Sequence, residues 1–270
     1  MNTTEFSSSR KILSGFRGLL TKMILLIIFL SAGSLCVKAS SFQNETLRYV
    51  VSYKWGIIHK DAADATMSLR KSGSSYDIVL TARTKPWADK IFMVRDTLHS
   101  KVAADGFRPV SYTKASHAGG RYERDRIEYH HSGTMVKGVV KRDVVRKNGE
   151  KSHDEKTLTA SGATFDMLSV FYYLRLLDFD KMKKGTPYKM NIFSGSKTET
   201  LTIRLKGVEQ LKLRDKTKQE AYRLSFTFTS GGKKKSSDDI NAWVSTDSRH
   251  IPLYLTGKLP IGEVRVSLIP

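Results

Sequence analysis

The sequence predicts a mostly β protein: one large, strongly curved antiparallel sheet, forming a half-barrel or open barrel, with one or two packing helices. Apolar and polar residues alternate with a period of two along most of the chain after residue 40, and clusters of Gly, Asn, Asp and Ser separate the alternating stretches. Hydrophobic residues make up 40% of the 270 residues, which is enough to build a core, so a wholly disordered chain is excluded.

The alternating stretches define the expected strands. Each has one apolar and one polar face, which is typical of antiparallel strands that cover a core on one side only. The apolar sets at every second position begin at Tyr49, Ala65, Tyr76, Leu201, Tyr222 and Val264. Among the turn signals, Asn148-Gly149 is the strongest, because this pair favours a two-residue hairpin turn.

Two segments interrupt the alternation and predict helices. A short helix is expected over 87–94, after Pro86. An amphipathic helix is expected over roughly 165–177, with Thr164 as its N-cap and Asp166 in its first turn, where the helix dipole favours an acid. Its apolar residues at helical spacing are Met167, Val170, Phe171, Leu174 and Leu177. We expect this helix to lie on the apolar face of the sheet.

The apolar face of about a dozen strands is larger than one helix can cover. Such sheets close into barrels, pair as sandwiches or bind an apolar molecule in their concavity. The last option predicts a non-catalytic protein that binds an apolar or amphipathic ligand, such as an anionic lipid or glycolipid. The candidate ligand-binding residues are Tyr49, Tyr53, Trp55, Phe171, Tyr222, Phe226 and Trp243. Packing in the core is the ordinary alternative explanation for each of them alone.

Residues 1–39 have the features of a secretory signal peptide. Basic residues precede an apolar run over 23–30, and Val37-Lys38-Ala39 fits cleavage after Ala39. A retained anchor is one alternative, although the run is short for a membrane span, which needs about 20 residues. Acylation of Cys36 is another. We expect residues 40–270 to form a single exported β domain in the bacterial periplasm, with a weak seam near 155–165.

The formal net charge of the chain is +20. Residues 1–39 hold five basic residues and one acidic residue, so the remainder carries +16. This excess favours an anionic lipid, glycolipid or polysaccharide as partner, with peripheral membrane contact at most. Solubility and protection of sheet edges by lysine explain the charge equally well. Export and the lack of a recognition motif argue against nucleic acid. A structural partner for an envelope protein or polysaccharide assembly is the alternative function.

No residue pattern predicts catalysis, and we expect no cofactor or metal. Beyond residue 39 the chain contains no cysteine, which excludes disulfides, cysteine nucleophiles and Cys-ligated metals. Glu128, His130 and His131 are close in sequence but lack a third ligand on one face, which favours solvated strand residues. The carboxylate pair Glu123 and Asp125 is expected on a wet outer face. An envelope hydrolase built on such groups is the less favoured alternative.

Several short motifs occur in a characteristic order. The helical region reads Asp166-x-Leu168-Ser169-x-x-Tyr172-Tyr173-x-Arg175, and Trp243-x-Ser-x-Asp247-x-x-x-x-Pro252 and Gly262 follow. Tyr53-x-x-Gly56-Ile57, Arg95-Asp96 and Pro109 lie upstream. Together they resemble an uncharacterised family of exported bacterial proteins, domain-of-unknown-function family 3108, over most of residues 45–269. That family has no established activity, so the resemblance implies no catalytic residue.

The closing pattern is also similar to half-barrel lipid and lipoprotein carriers of the bacterial periplasm. Those carriers hold acyl chains between a curved antiparallel sheet and a helical lid. The similarity implies a fold and not a function. This chain is longer and carries tyrosines and charges on several strands, which departs from a purely apolar pocket.

Overall fold

The chain, seen here in a computed structural model, is built almost entirely from β-strands. The structure describes residues 42–230, 234–235, 240–258 and 262–269. The predicted signal peptide, its cleavage after Ala39 and the alternative acylation of Cys36 lie outside these residues. The strands are β1 (Glu45–Trp55), β2 (Ile58–Ser72), β3 (Ser75–Thr84), β4 (Val94–Ala103), β5 (Pro109–Ala118), β6 (Arg121–Ser132), β7 (Met135–Val145), β8 (Lys151–Ser161), β9 (Thr164–Phe165), β10 (Tyr188–Ser194), β11 (Lys197–Lys212), β12 (Lys218–Ser230), β13 (Lys234–Lys235), β14 (Ile240–Ser245), β15 (Pro252–Lys258) and β16 (Glu263–Ile269).

All of these strands belong to one sheet. The order is β8-β7-β6-β5-β4-β3-β2-β1-β16-β15-β14-β12-β11-β10-β9, with β13 paired to β12. Every neighbouring pair is antiparallel except β9 and β10, which are parallel. The sheet curls into a nearly closed barrel, which confirms the predicted mostly β class and its strong curvature. The predicted hairpin at Asn148-Gly149 joins β7 to β8.

The barrel comes close to closing where β8 approaches β10 and β11. Near this closure the Phe193 ring of β10 stacks on Tyr129 of β6, with centroids 5.6 Å apart and planes at 14°. Phe193 also lies directly over Gly138 of β7. A Cβ at position 138 would be 2.6 Å from the Phe193 ring, so only glycine allows this close approach.

The two predicted helices are present but short. Helix α1 (Pro86–Phe92) matches the expected helix after Pro86. Helix α2 (Ser169–Arg175) is shorter than the expected 165–177. The carboxylate of Asp166 accepts the backbone N–H groups of Leu168 and Ser169, both at 2.8 Å, so the helical turns start only after it. Thr164 belongs to β9 and is not the N-cap. Within the described residues, no helix combines the length and hydrophobicity that crossing a bilayer requires.

Helix α2 lies on the concave apolar side of the sheet, but the barrel encloses it. Six of its seven residues are buried, including the charged Arg175, so it lacks the solvent-facing side that an amphipathic helix would have. The chain leaves β8 near the predicted seam, passes through α2 and a 3-10 turn (Phe179–Lys181), and returns to the sheet at β10. We call residues 164–182 the plug, because they fill one end of the barrel.

The two ends of the barrel can be told apart by the turns they carry. One end carries α1 and the β1–β2, β5–β6 and β7–β8 turns, and we call it the α1 end. The opposite end carries the β2–β3, β6–β7 and β14–β15 turns and the start of β1. We call it the plug end, because Arg175 of the plug pairs there with Glu45 and donates to the carbonyl of Arg249 at 2.9 Å.

Candidate functional site

The structure places the seven predicted ligand-binding residues in three environments. Tyr49, Tyr53, Phe171, Tyr222 and Phe226 belong to the hydrophobic core or pack against it. Trp55 is 56% exposed at the tip of the β1–β2 hairpin, and Trp243 lies on the outer face of the sheet. Trp55 and Trp243 are therefore away from the concave face on which all seven were expected. Ligand binding by any of the seven stays a prediction.

The core members of this set contact the protein itself. Tyr49 Oη donates to the Pro252 carbonyl at 3.0 Å, and Phe171 packs against the Tyr172 ring with centroids 5.1 Å apart. Tyr222 Oη donates to Asp180 Oδ1 at 2.6 Å, and burial together with this carboxylate raises the pKa of Tyr222 to about 12. The tyrosines therefore remain protonated donors at neutral pH.

Trp243 takes part in a polar cluster on the convex surface. Its Nε1 donates to Glu209 Oε1 at 2.6 Å, and the Arg223 guanidinium lies 5.4 Å from the indole centroid. The Tyr254 ring packs beside it at 5.2 Å. These contacts give Trp243 a structural role in fastening β11, β12, β14 and β15 together.

A groove of about 460 Å³ opens at the plug end. Its lining residues are Thr46, Leu47, Arg48, Gln219, Ser245, Arg249, Ile251, Leu253, Leu268 and Ile269. The buried side chains Leu47, Ile251 and Leu253 form an apolar floor, and Ile269 is partly exposed at the edge. This volume lies in the range of small-molecule sites, which are largely apolar with a few placed polar groups.

Two arginines flank the apolar floor of the groove. Arg249 is held by Asp247, with Nε at 3.0 Å and Nη2 at 2.7 Å from the same carboxylate oxygen. The side chain of Arg48 is exposed and forms no hydrogen bond or ion pair with the residues that the structure describes. A cation beside an apolar floor can bind a molecule that has an anionic head and an apolar tail.

A second group of polar side chains faces the interior at the α1 end. We call it the inner ionic cluster, and its members are Asp96, Lys114, Ser116, Arg121, Glu123, Asp125 and Arg142. It corrects the expectation that Glu123 and Asp125 lie on a wet outer face. The alternating set to which they belong continues into Ile127 and Tyr129, which are core residues, so all four side chains point inward.

Ion pairs connect the inner ionic cluster across three strands. Arg142 contacts Glu123, and its Nε lies 3.4 Å from Asp125 Oδ1. Arg121 Nη2 lies 3.0 Å from Glu123 Oε2. The neighbouring β5 residue Ser116 donates its hydroxyl to Asp96 at 2.5 Å. Lys114 Nζ of β5 lies 3.8 Å from Glu123 Oε1, so the three cations pair with Glu123 and Asp125, whereas Asp96 has no ion pair among the described residues.

Burial changes the acidity of two of these carboxylates. It raises the pKa of Asp125, and the nearby Arg142 offsets only part of the effect. It also raises the pKa of Asp96, against the hydrogen bond from Ser116. Asp125 Oδ1 and Asp96 Oδ2 are buried and accept no hydrogen bond from the described residues. This end of the interior is therefore sensitive to protonation.

The other acid and histidine cluster lies in solvent. Glu128, His130 and His131 are all exposed on β6, and His131 Nε2 lies 2.7 Å from the Pro109 carbonyl. Across the described ranges, no three His, Asp or Glu side chains are grouped so that they could hold a metal ion.

The two arginines of the groove were not among the residues that the sequence predicts for a site. Arg48 and Arg249 are about two hundred positions apart, and only the pairing of β1 with β16 and of β16 with β15 brings them to one groove. No local pattern marks that juxtaposition. The inner ionic cluster did have a signal, because Glu123 and Asp125 alternate in step with the apolar Ile127 and Tyr129.

Comparison with known proteins places the chain by family and by fold. The model of the family described as "Protein of unknown function (DUF3108)" matches residues 48–269. The crystal structure of a β-barrel-like protein of domain of unknown function DUF1849 from Brucella abortus is similar in fold, with a TM-score of 0.58 and 12% identity. The alignment covers 85% of this chain and 97% of that one. None of the curated proteins matches the chain.

Proposed function

The chain belongs to the DUF3108 family of proteins of unknown function, and from that premise we propose that it is an exported, non-catalytic protein that binds an anionic amphiphile, such as an anionic lipid or glycolipid. The observation that carries the proposal is the groove at the plug end, with its apolar floor and its two arginines. The proposed binding position differs from the concavity favoured by the sequence, because the plug fills the barrel at this end.

The groove suits the two parts of such a ligand. Leu47, Ile251 and Leu253 offer an apolar surface to an acyl or alkyl chain. Arg48 offers an exposed guanidinium to a phosphate, sulfate or carboxylate head, and charge-assisted hydrogen bonds of this kind are among the stronger ones in proteins. The positive net charge of the chain adds a long-range attraction for anions.

Calorimetric titration tests the proposal. Dodecyl phosphate below its micelle concentration is titrated into the purified protein, and an uncharged alkyl glycoside of the same chain length serves as the comparison ligand. We expect saturable binding of dodecyl phosphate and weaker binding of the glycoside. Arg48→Ala should weaken binding of the phosphate by about tenfold or more, since a hydrogen bond to a charged group contributes about 1.5–3 kcal/mol.

Two further variants locate the site. Ile269→Ser, at the exposed edge of the groove, should weaken the binding of both dodecyl phosphate and the alkyl glycoside, because it removes apolar contact. Arg124→Ala is the matched control, because Arg124 is exposed on the outer face of β6, away from the groove. The proposal is wrong if dodecyl phosphate does not bind, or if Arg48→Ala and Ile269→Ser bind it as tightly as Arg124→Ala does.

A further inference from the structure

The α1 end carries large apolar side chains that the fold leaves in solvent. Trp55 is 56% exposed and Ile57 is fully exposed on either side of Gly56, whose φ of +54° forms the tight turn between β1 and β2. Ile91, on α1, is 70% exposed. Exposed apolar groups of this size that occur together mark interaction surfaces. We call Trp55, Ile57 and Ile91 the docking tip.

Direct contacts hold the β1–β2 hairpin and α1 together. Trp87 of α1 donates its Nε1 to the carbonyl of Asp61 at 2.8 Å. The ammonium of Lys60 lies 4.7 Å from the centroid of the same indole. The three apolar side chains are therefore carried by two elements that are fixed against each other at the same end of the barrel.

Three lysines lie on the same two elements as the docking tip. Lys54 and Lys60 flank it on the hairpin and Lys90 flanks it on α1, and all three are exposed. Long lysine side chains can lay their methylene stems along an apolar surface and keep the ammonium groups in the polar layer above it.

The acidic residues near the tip are already paired. The carboxylate of Asp61 accepts hydrogen bonds from Nη1 and Nη2 of Arg214, both at 3.0 Å, and these bonds lower the pKa of Asp61. Asp89 is held by Arg95 at 2.6 Å, and Asp64 by Lys85 at 2.9 Å. The charge that this end presents to a partner is therefore positive.

We propose that the α1 end docks peripherally on a bilayer surface rich in anionic lipid. Trp55, Ile57 and Ile91 enter the interfacial layer, and Lys54, Lys60 and Lys90 meet the head groups. Peripheral binding of this kind strengthens with buried apolar area and with attraction to anionic lipid. A few protruding apolar side chains with lysines on the same elements suit the interfacial layer of an anionic bilayer. This docking is independent of the groove, which opens at the opposite end.

The experiment uses Trp55 as a reporter at the interface. The wild-type protein and a Trp55→Phe variant, both of which keep the Trp87 contact between the hairpin and α1, are mixed with vesicles whose acyl chains carry bromine near the head group, and the difference in quenching between them reports Trp55. We expect Trp55 fluorescence to be quenched by vesicles of phosphatidylethanolamine with phosphatidylglycerol, and not by phosphatidylcholine vesicles. High salt should weaken the association, because screening reduces the contribution of the lysines.

Co-sedimentation with the same vesicles gives the size of each contribution. Trp55→Ser/Ile57→Ser should lower the partition constant by about tenfold or more through lost apolar burial. Lys54→Glu/Lys60→Glu should lower it by at least roughly fivefold per lysine. Met135→Ser is the matched control, because Met135 is 48% exposed at the plug end. Residues 1–39 are common to all variants, so differences between them report the docking tip.

The outcomes separate this proposal from the one on the groove. Equal partition of the wild type and Trp55→Ser/Ile57→Ser, unquenched Trp55 or absence of vesicle binding would each overturn the docking proposal. Arg48→Ala should leave vesicle association unchanged while weakening the binding of dodecyl phosphate to the groove. The two proposals can therefore be refuted independently of each other. Circular dichroism of each variant is the control for retention of the sheet.

Discussion

The two ends of the barrel interior are filled in opposite ways. At the plug end, α2 and the residues around it bring apolar and aromatic side chains into the sheet, and Phe171 and Tyr172 are buried there. At the α1 end, the inner ionic cluster fills the space with charged groups, among them the ion-paired carboxylates Glu123 and Asp125 and the carboxylate Asp96, which accepts from Ser116. One sheet thus closes over both kinds of interior, and we expect the stability of the two ends to depend differently on pH and on single side chains.

Different interactions determine the free energy of folding at the two ends of the barrel. Apolar burial is favourable in itself, by about 25 cal/mol for each Å² removed from water. Burying charges is costly, and mutual attraction repays the cost only when every partner is present. We therefore expect the plug end to set the overall stability, and the α1 end to tune it according to protonation.

The largest expected effect is the loss of plug packing. Phe171→Ala should lower the free energy of unfolding by about 3–5 kcal/mol, because Phe171 is only 1% exposed and its removal leaves a cavity in the core. Urea unfolding followed by circular dichroism measures this change. Trp55→Ala, the exposed aromatic control, should stay within about 0.5 kcal/mol of the wild type. A folded Phe171→Ala protein of normal stability that had lost amphiphile binding would show that the interior is the ligand site.

The second-largest expected effect comes from disrupting the inner ionic cluster. Arg142→Met should cost about 3 kcal/mol at neutral pH, because it leaves Glu123 and Asp125 buried without their shared cation. The cost should shrink in acid, because burial raises the pKa of Asp125 and favours its neutral form there. Arg146→Met, which removes only an exposed pair with Glu150, is the control and should change stability by under about 1 kcal/mol. Equal stabilities for the two variants would show that the cluster is solvated.

The smallest effect is a dependence on pH. The pKa of Asp125 is raised by burial, so the folded state binds this proton more tightly than the unfolded chain. Its contribution to stability is therefore present below the ordinary value of 3.8 and is lost as the pH rises through the folded pKa. Asp125→Asn should gain stability relative to the wild type as the pH rises from about 4 to 7.

Asp143 gives the opposite sign and serves as the control for this titration. A hydrogen bond from His153 lowers the pKa of Asp143, so its contribution is present above the unfolded value and is lost as the pH falls through the folded pKa. Asp143→Asn should therefore lose stability relative to the wild type at neutral pH and converge on it in acid. Parallel pH profiles for the two variants would contradict the assignment of Asp125 to the interior.

Local patterns predicted the fold well where one strand or one turn decides the structure. Period-two alternation indicated the strands, and Asn148-Gly149 and Pro86 indicated a hairpin and a helix that are both present. The shorter α2 could not be read from apolar spacing, because the carboxylate of Asp166 captures the N–H groups of Leu168 and Ser169.

The candidate sites could not be predicted from single strands, because their residues come together only through pairing between distant strands. The prediction of an outer face for Glu123 and Asp125 is wrong, because they alternate in step with Ile127 and Tyr129, whose side chains lie in the core. The groove needs strands from both ends of the chain, and enclosure of α2 needs the sheet to close around it. Both are consequences of long-range pairing, which no local pattern specifies.

Photo-crosslinking distinguishes an amphiphile bound in the groove at the rim of a filled barrel from one bound inside the barrel. A dodecyl phosphate analogue with a diazirine at the end of its alkyl chain is bound to the wild-type protein, irradiated, and mapped by peptide mass spectrometry. We expect crosslinks at residues that line the groove, namely Thr46, Leu47, Arg48, Ile251, Leu253, Leu268 and Ile269. Crosslinks concentrated in the plug, residues 164–182, would contradict it.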